Sequence, residues 1–230
     1  MGVTYNNRIV TDGLVLCLDA ASKRSYPGTG TTWTDLKGGN NGTLANMDTS
    51  NFDESNGGSL VFDGTDEYIY GGDTTGSITN QCSVSIWYKA TGIPSNNDTA
   101  GGAIFGQSNN YHHGLIVLHA WAYERVLMGT RINDSTNTSN NSVGNNEYHY
   151  ITAQQDGSQQ QIFIDGELLT YRSYSLTPYT VNPAYQIGRW GYSSYGRHFN
   201  GHIYSVSLYN RALTADEIRR NYLSTKERFA

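Results

Sequence analysis

Charge is scarce in this sequence. Only 15% of its 230 residues are Asp, Glu, Lys or Arg, against about 25% in an ordinary soluble domain. The fifteen Lys and Arg are outnumbered by twenty Asp and Glu, for a formal net charge of −5. No concentrated positive field is available to neutralise phosphates, so neither nucleic acid nor an anionic membrane is expected as a partner. Long apolar runs are missing as well. The apolar stretch from Leu14 to Leu18 falls far short of the roughly 20 residues that cross a bilayer, and no basic segment precedes it as in a secretory leader. Four prolines form no linker, and two cysteines allow at most one bridge. Cys17 follows Leu16 in an apolar stretch and Cys82 opens an alternating one, so both read as small buried hydrophobes rather than as a disulfide.

Gly, Asn, Ser and Thr take the place of the missing charge. With eighteen Tyr, four Trp and six Phe, the composition describes a turn-rich β protein with a polar, aromatic surface. Short strand patterns follow one another between turn signals. Leu14 to Leu18, Ser59 to Asp63 and Asp66 to Tyr70 are strands, the last ended by Gly71-Gly72. In the clearest alternation, Cys82, Val84, Ile86 and Tyr88 face the core, and Trp87 lies on the opposite face with Ser83, Ser85 and Lys89. Ala103 to Phe105, Gly114 to His119 and Val126 to Ile132 are further strands, and residues 133–146, nearly all Asn, Ser and Thr, read as a long exposed loop. Turns at Asp156-Gly157 and Asp165-Gly166 make a two-hairpin meander of the next three strands. Strands at 185–188 and 202–209 come last. The period then changes: Thr214 and Glu217 form a capping box for a short helix over about 215–224.

An ordered set of motifs resembles a known family. It comprises Trp33, Asp35, Gly42-Thr43, Phe62-Asp63-Gly64, Asp66, Tyr68, Ser85 to Lys89, Gly157, Asp165-Gly166-Glu167, Ile187-Gly188, Gly201-His202-Ile203, Tyr209 to Leu213 and Glu217-Ile218. The set resembles the laminin G-like, concanavalin A-like jelly rolls. Gly13 to Leu16, Asp19-Ala20, Tyr26-Pro27-Gly28, Asn221-Tyr222, Lys226 and Arg228-Phe229 are similar to the single-domain versions in tailed marine bacteriophages. The resemblance implies an all-β concanavalin A-like sandwich with a short C-terminal helix, one domain over 1–230 with its core at about 12–213. It also implies a virion setting, with other viral structural proteins as partners, a homo-oligomer among the options, and a host-surface polysaccharide as the alternative ligand. Fold alone does not choose among these roles.

The chemistry narrows the choice. A retaining glycan hydrolase needs two carboxyls about 5–5.5 Å apart, and the Glu-x-Asp-x-x-Glu strand pattern of related β-glucanases does not occur. No Gly-x-Ser-x-Gly elbow and no zinc-type ligand spacing occur either. The chain is therefore expected to be noncatalytic and to act as a decoration, fibre or tail-appendage module. No cofactor is expected, apart from the calcium that relatives often hold. Asp63 and Asp66 are the calcium candidates, with turn capping around Gly64 as the other explanation. The segment from Tyr185 to Phe199 is the candidate partner or glycan site, through Arg189, Trp190, Tyr192, Tyr195, Arg197 and His198, with ordinary packing beneath a glycine-rich turn as the other explanation. Flat rings stack on sugars, and the same residue types anchor protein interfaces.

Overall fold

The computed structural model describes residues 8–72, 81–92, 101–106, 115–129, 135–173, 184–190 and 196–229. Along the chain the strands are β1 Leu14–Asp19, β2 Thr32–Trp33, β3 Gly42–Ala45, β4 Phe52–Asp53, β5 Ser59–Asp63, β6 Tyr68–Gly71, β7 Gln81–Ala90 and β8 Gly102–Gly106. There follow β9 Ile116–Ala120, β10 Arg125–Gly129, β11 Ser135–Asn137, β12 His149–Asp156, β13 Gln159–Ile164, β14 Glu167–Ser173, β15 Tyr185–Ile187 and β16 Asn200–Tyr209. The helix α1, Ala215–Thr225, runs into a 3-10 turn at Lys226–Phe229. Two antiparallel sheets result: sheet A in the order β14-β13-β12-β7-β16-β5-β4 with β1 also on β16, and sheet B in the order β11-β10-β9-β8-β15-β6-β3-β2. Packed face to face, they form the expected β-sandwich jelly roll with its C-terminal helix. Among the described residues no helix is long and apolar enough to cross a membrane.

The core lies between the sheets. Leu16, Leu18, Leu60, Phe62, Val84, Ile86, Tyr88, Ile151, Ile203, Val206 and Leu208 from sheet A meet Trp33, Leu44, Ile69, Phe105, Val117, Met128, Tyr185 and Ile187 from sheet B. Tyr185 fits because Gly71 opposes it in the ladder: a Cβ there would overlap the Tyr185 ring, whose hydroxyl donates to the Asn40 carbonyl at 2.7 Å. Gly71 therefore belongs to the strand, rather than ending it, and makes room for a buried ring. Cys17 and Cys82 are both free, Cys82 buried and Cys17 partly so.

The outer face of sheet A is covered too, which explains why β7 is buried on both sides. Ile218 of α1 packs with Leu14, Phe163, Tyr209 and Leu213. Trp87 stacks on Phe229 at 4.2 Å between ring centroids and donates from Nε1 to Thr225 Oγ1 at 2.7 Å. Asn221, also buried, accepts from the Val10 amide and donates to the Tyr209 hydroxyl, tying the segment before β1 to the helix and to β16. The capping box forms as the spacing predicts, with the Thr214 hydroxyl accepting from the Glu217 amide and the Glu217 carboxylate accepting from the Thr214 amide. Arg211 grips that carboxylate with two hydrogen bonds, at 2.6 and 2.8 Å.

Residues 133–146 differ from the expected exposed loop. Positions 133–134 lie outside the described residues, but Ser135–Asn137 form β11 on the edge of sheet B. Thr136 and Thr138 are buried, Thr136 donating to Gln160 Oε1 and Thr138 Oγ1 accepting from the Val126 amide, and Val143 enters the core. Threonine hydroxyls satisfied by such bonds can be buried at little cost, so a stretch that looks wholly polar supplies an edge strand. Of the strand expected over 126–132, residues 126–129 lie in β10, and residues 130–132 lie outside the described residues.

Two predictions follow from this packing. Gly71→Ala should lower stability by about 2–3 kcal/mol through overpacking, whereas Tyr185→Phe should cost only about 1 kcal/mol for one hydrogen bond; denaturant melts separate them. Arg211 and the Thr214 amide pull the Glu217 pKa from 4.5 down to about 2, so its stabilisation is present above the unfolded value and lost as pH falls through the folded one. Glu217→Gln should therefore melt lower at neutral pH and show a flatter decline than the parent between pH 4.5 and about 2.

Candidate functional site

The turn at 63–67, which carries the chain from sheet A to sheet B, holds both calcium candidates. Gly64 takes a positive φ of 82°, the conformation that glycine adopts without strain, and the Asp63 carboxylate accepts from the Thr65 amide at 2.7 Å. Glu67 folds back so that its Oε2 accepts from the Asp63 amide at 3.2 Å. Burial, at 7% exposure, and the hydrogen bond with Asp63 raise the Glu67 pKa, while that same bond holds Asp63 below the usual carboxylate range. The Asp66 carbonyl accepts from Asn46 Nδ2 at 3.1 Å.

From the other end of the chain, His198 reaches this turn. Its Nδ1 lies 3.5 Å from the Glu67 carbonyl, and Asn200 Nδ2 donates to the Asp63 carbonyl at 2.9 Å. Burial lowers the His198 pKa, with nearby Arg189 acting the same way and Asp66 and Asp63 opposing it. The two sets of candidate residues, more than a hundred positions apart in sequence, therefore share one corner. A hard cation there would need six to eight oxygens. The turn does not fit that demand: the Asp63 carboxylate is already engaged by Thr65 and Glu67, and no group of three or more metal-ligating side chains occurs among the described residues.

Next to this corner lies the outer face of sheet B. The ladder places Thr43, Tyr70, Gln186, Gly106 and Ile116 in one row across it. Tyr70 is 46% exposed, and the Tyr68 ring lies 5.9 Å from it on the same face. Arg189 sets its guanidinium 4.6 Å over Tyr68, a cation–π contact that fixes the ring. The segment after β15 folds back on β8: Gly188 donates to the Ile104 carbonyl, Ala103 to the Arg197 carbonyl, and Phe199 to the Gly188 carbonyl. Trp190 is consequently laid on Ala103 and Ile116 with only 8% of its surface exposed, and Arg197 sits 5.5 Å over its ring.

Of the six residues proposed from sequence, Arg189, Trp190, Arg197 and His198 are brought together here, while Tyr192 and Tyr195 lie outside the described residues. Trp190 supports the face from within rather than standing on it. Tyr68, Tyr70, Gln186 and Glu67 escaped the sequence reading as site residues. Tyr68 and Tyr70 were findable, because they flank the core residue Ile69 in strict alternation. Beside the tyrosine pair, Gln186 Oε1 and Arg189 Nε are withdrawn from solvent without a hydrogen-bond partner.

With a jelly roll and a polar, tyrosine-bearing sheet face in view, the relationships of the chain can be stated. Residues 63–219 match the family model of the concanavalin A-like lectin/glucanases superfamily. The chain belongs to that superfamily. No curated protein sequence matches it significantly. Among solved structures, it is similar to domain 4 of AbnA, an extracellular GH43 arabinanase of Geobacillus stearothermophilus, in complex with arabinotriose. The TM-score is 0.69 at 14% identity, covering 91% of this chain and 98% of that one. It is also similar to Trypanosoma rangeli sialidase in complex with sialic acid, with a TM-score of 0.68 at 17% identity, covering 96% of this chain but 34% of the enzyme. A third neighbour is the botulinum neurotoxin serotype D binding domain, with a TM-score of 0.66 at 14% identity, covering 95% of this chain and 51% of that one. The chain thus spans nearly all of the arabinanase domain and about a third of the sialidase. At these identities the likeness is one of fold.

The two aromatic sets should respond differently to truncation. Trp190→Ala should cost about 3 kcal/mol or more of stability, since it empties a packed position, whereas Tyr70→Ala should stay within about 0.5 kcal/mol of the parent, as an exposed position does. Equal melting temperatures for the two variants would contradict this assignment.

Proposed function

We propose that this chain is a noncatalytic carbohydrate-binding module whose ligand lies across the outer face of sheet B. The observation that carries the reading is the tyrosine pair Tyr68 and Tyr70, with Tyr70 exposed and the Arg189 guanidinium set over Tyr68. Apolar sugar faces stack on such rings, and a few fixed polar groups at their edge give orientation to hydroxyls. Low charge suits the same task, because few strongly hydrated groups need to lose water when a neutral polysaccharide is laid down. Neighbours that include an arabinanase domain in complex with arabinotriose support this reading.

Hydrolysis is not part of it. Asp63 and Glu67, a carboxyl pair beside the face, are hydrogen-bonded to each other, whereas a retaining mechanism places its two carboxyls about 5–5.5 Å apart. Asp63 is also held by the Thr65 amide, so it is not free to attack.

A structural role in a virion is the second reading, with one observation of its own. Edge strand β14 exposes Leu168, Leu169 and Tyr171 together, a surface able to pack against other structural proteins or another copy of the chain. The virion setting itself rests on the resemblance of the terminal segments to phage modules. A module that holds a host polysaccharide on sheet B and its neighbours through β14 would combine both roles.

The test is retention on polysaccharide affinity gels. Tyr68→Ala with Tyr70→Ala should weaken retention by about tenfold or more with melting unchanged, and the parent should release no reducing ends from any glycan it retains. Undiminished retention in the double variant, or no glycan retained by the parent, would overturn the reading.

A further inference from the structure

On the opposite side of the molecule, between the C-terminal helix and the outer face of sheet A, lies an open cavity of about 230 Å³. Its walls are the rings of Trp87, Tyr148, Tyr222 and Phe229, with the carboxylates of Asp165 and Glu227 among them. At that size it is smaller than the roughly 300–1,000 Å³ of drug-sized sites, and suits a single compact group. We propose that it binds a small organic cation of the quaternary ammonium class, held against the aromatic walls and Glu227. This inference is independent of the carbohydrate reading and uses none of the same residues.

Trp87 is buried and spends its only polar atom on Thr225 Oγ1, so it backs the cavity with carbon, while the partly buried Tyr148, Tyr222 and Phe229 are the rings left to meet a cation. Phe229 and Tyr222 stack beside Trp87 at 4.2 and 5.8 Å between centroids, and the Tyr148 ring lies 5.3 Å from Phe229. The protein already uses these rings in that way: Lys89 Nζ sits 4.9 Å over Tyr148, and the Arg228 guanidinium 5.2 Å over Phe229. Neither cation lines the cavity.

Charge points the same way. Asp165 is locked in place, one oxygen accepting from the Tyr150 amide at 2.8 Å and the other facing His149 Nδ1 at 3.2 Å. Glu227 has no hydrogen-bond or ion-pair partner among the described residues, and a bound cation would supply one. Lys226 is the one cationic group in the lining, so the two carboxylates leave an excess of negative charge. A quaternary ammonium fits better than a primary one. It is weakly hydrated and brings no N–H donors, which walls made mostly of carbon could not satisfy. A sugar fits less well, because the polar groups here are fixed charges rather than a fan of neutral donors and acceptors.

The experiment titrates choline into the intact chain by calorimetry and by nuclear magnetic resonance, beside the neutral alcohol in which carbon replaces the choline nitrogen. Choline should saturate in the millimolar range, and the isostere should bind about fivefold more weakly or worse. Phe229→Leu, which keeps apolar volume and removes a π surface, should weaken choline by about fivefold. Glu227→Lys, at a position with no packing role, should weaken it at least as much while leaving melting unchanged, so the proposal stays exposed even if Phe229→Leu unfolds. Equal affinity for choline and its isostere, no saturation by choline, or full affinity in Glu227→Lys would overturn the proposal. A monosaccharide that displaced choline from the cavity would replace it with a second glycan site.

Discussion

Strand β16 is the element on which the rest of the sandwich hangs. It pairs along nearly its whole length with β7, while its other edge is divided between β5, against Asn200 to Ile203, and β1, against Ser205 to Tyr209. One ten-residue strand therefore joins the beginning, middle and end of the chain by backbone hydrogen bonds. A bulge at Tyr204 makes this possible: the register of β16 on β7 shifts between Ile203 and Ser205, and the freed Tyr204 carbonyl accepts from the Ala20 amide at 2.9 Å. The extra residue turns the side-chain sequence by one step, so that Ile203, Val206 and Leu208 all enter the core and Tyr204 joins the aromatic cluster outside.

That outer cluster gives sheet A a second, smaller core, and among the described residues sheet B has none of comparable cover. Helix α1, the turn after it and the segment before β1 close over Trp87, Ser83 and Gln154, whose polar atoms are satisfied by Thr225, by each other and by the Leu213 backbone. On sheet B the described residues between β15 and β16 cover the Trp190 side, and Tyr70 is exposed. The molecule is thus asymmetric, with one sheet sealed by its own termini and one presenting a bare polar face. The carbohydrate reading uses the second, and the ammonium cavity uses the seam where the first is sealed.

Much of this was legible in the sequence where periodicity was uninterrupted. The alternation over Cys82 to Lys89 located both faces of β7, and Thr214 with Glu217 located the helix start to the residue. Legibility failed where the pattern was broken or disguised. Strict alternation would place Ile203 opposite Val206 and Leu208, and nothing in the sequence marks Tyr204 as the bulge. Thr136 and Thr138 carry β11 on hydroxyl hydrogen bonds that a hydropathy pattern cannot register. The candidate site was legible in its parts but not as an assembly. Asp63 and His198 were each singled out, yet only the pairing of β16 with β5 brings them together. For Trp190 the sequence left contact and packing both open, and the backbone bonds that lay it on Ile116 come from Ala103 and Gly196.

The dependence on β16 has a consequence for how the protein is made. More than a hundred residues separate the end of β7 at Ala90 from the start of β16 at Asn200. At a synthesis rate of roughly 5–20 residues per second, β7 leaves the ribosome about 6–20 s before its principal partner exists. β1 and β5 wait longer still. During that interval three apolar strands carry open hydrogen-bonding edges, and the strand that pairs with all three has yet to emerge. The nascent chain therefore cannot fold progressively from its beginning; the sandwich closes in one late step, and a polypeptide interrupted before Asn200 is left with its longest strand unpaired on one edge.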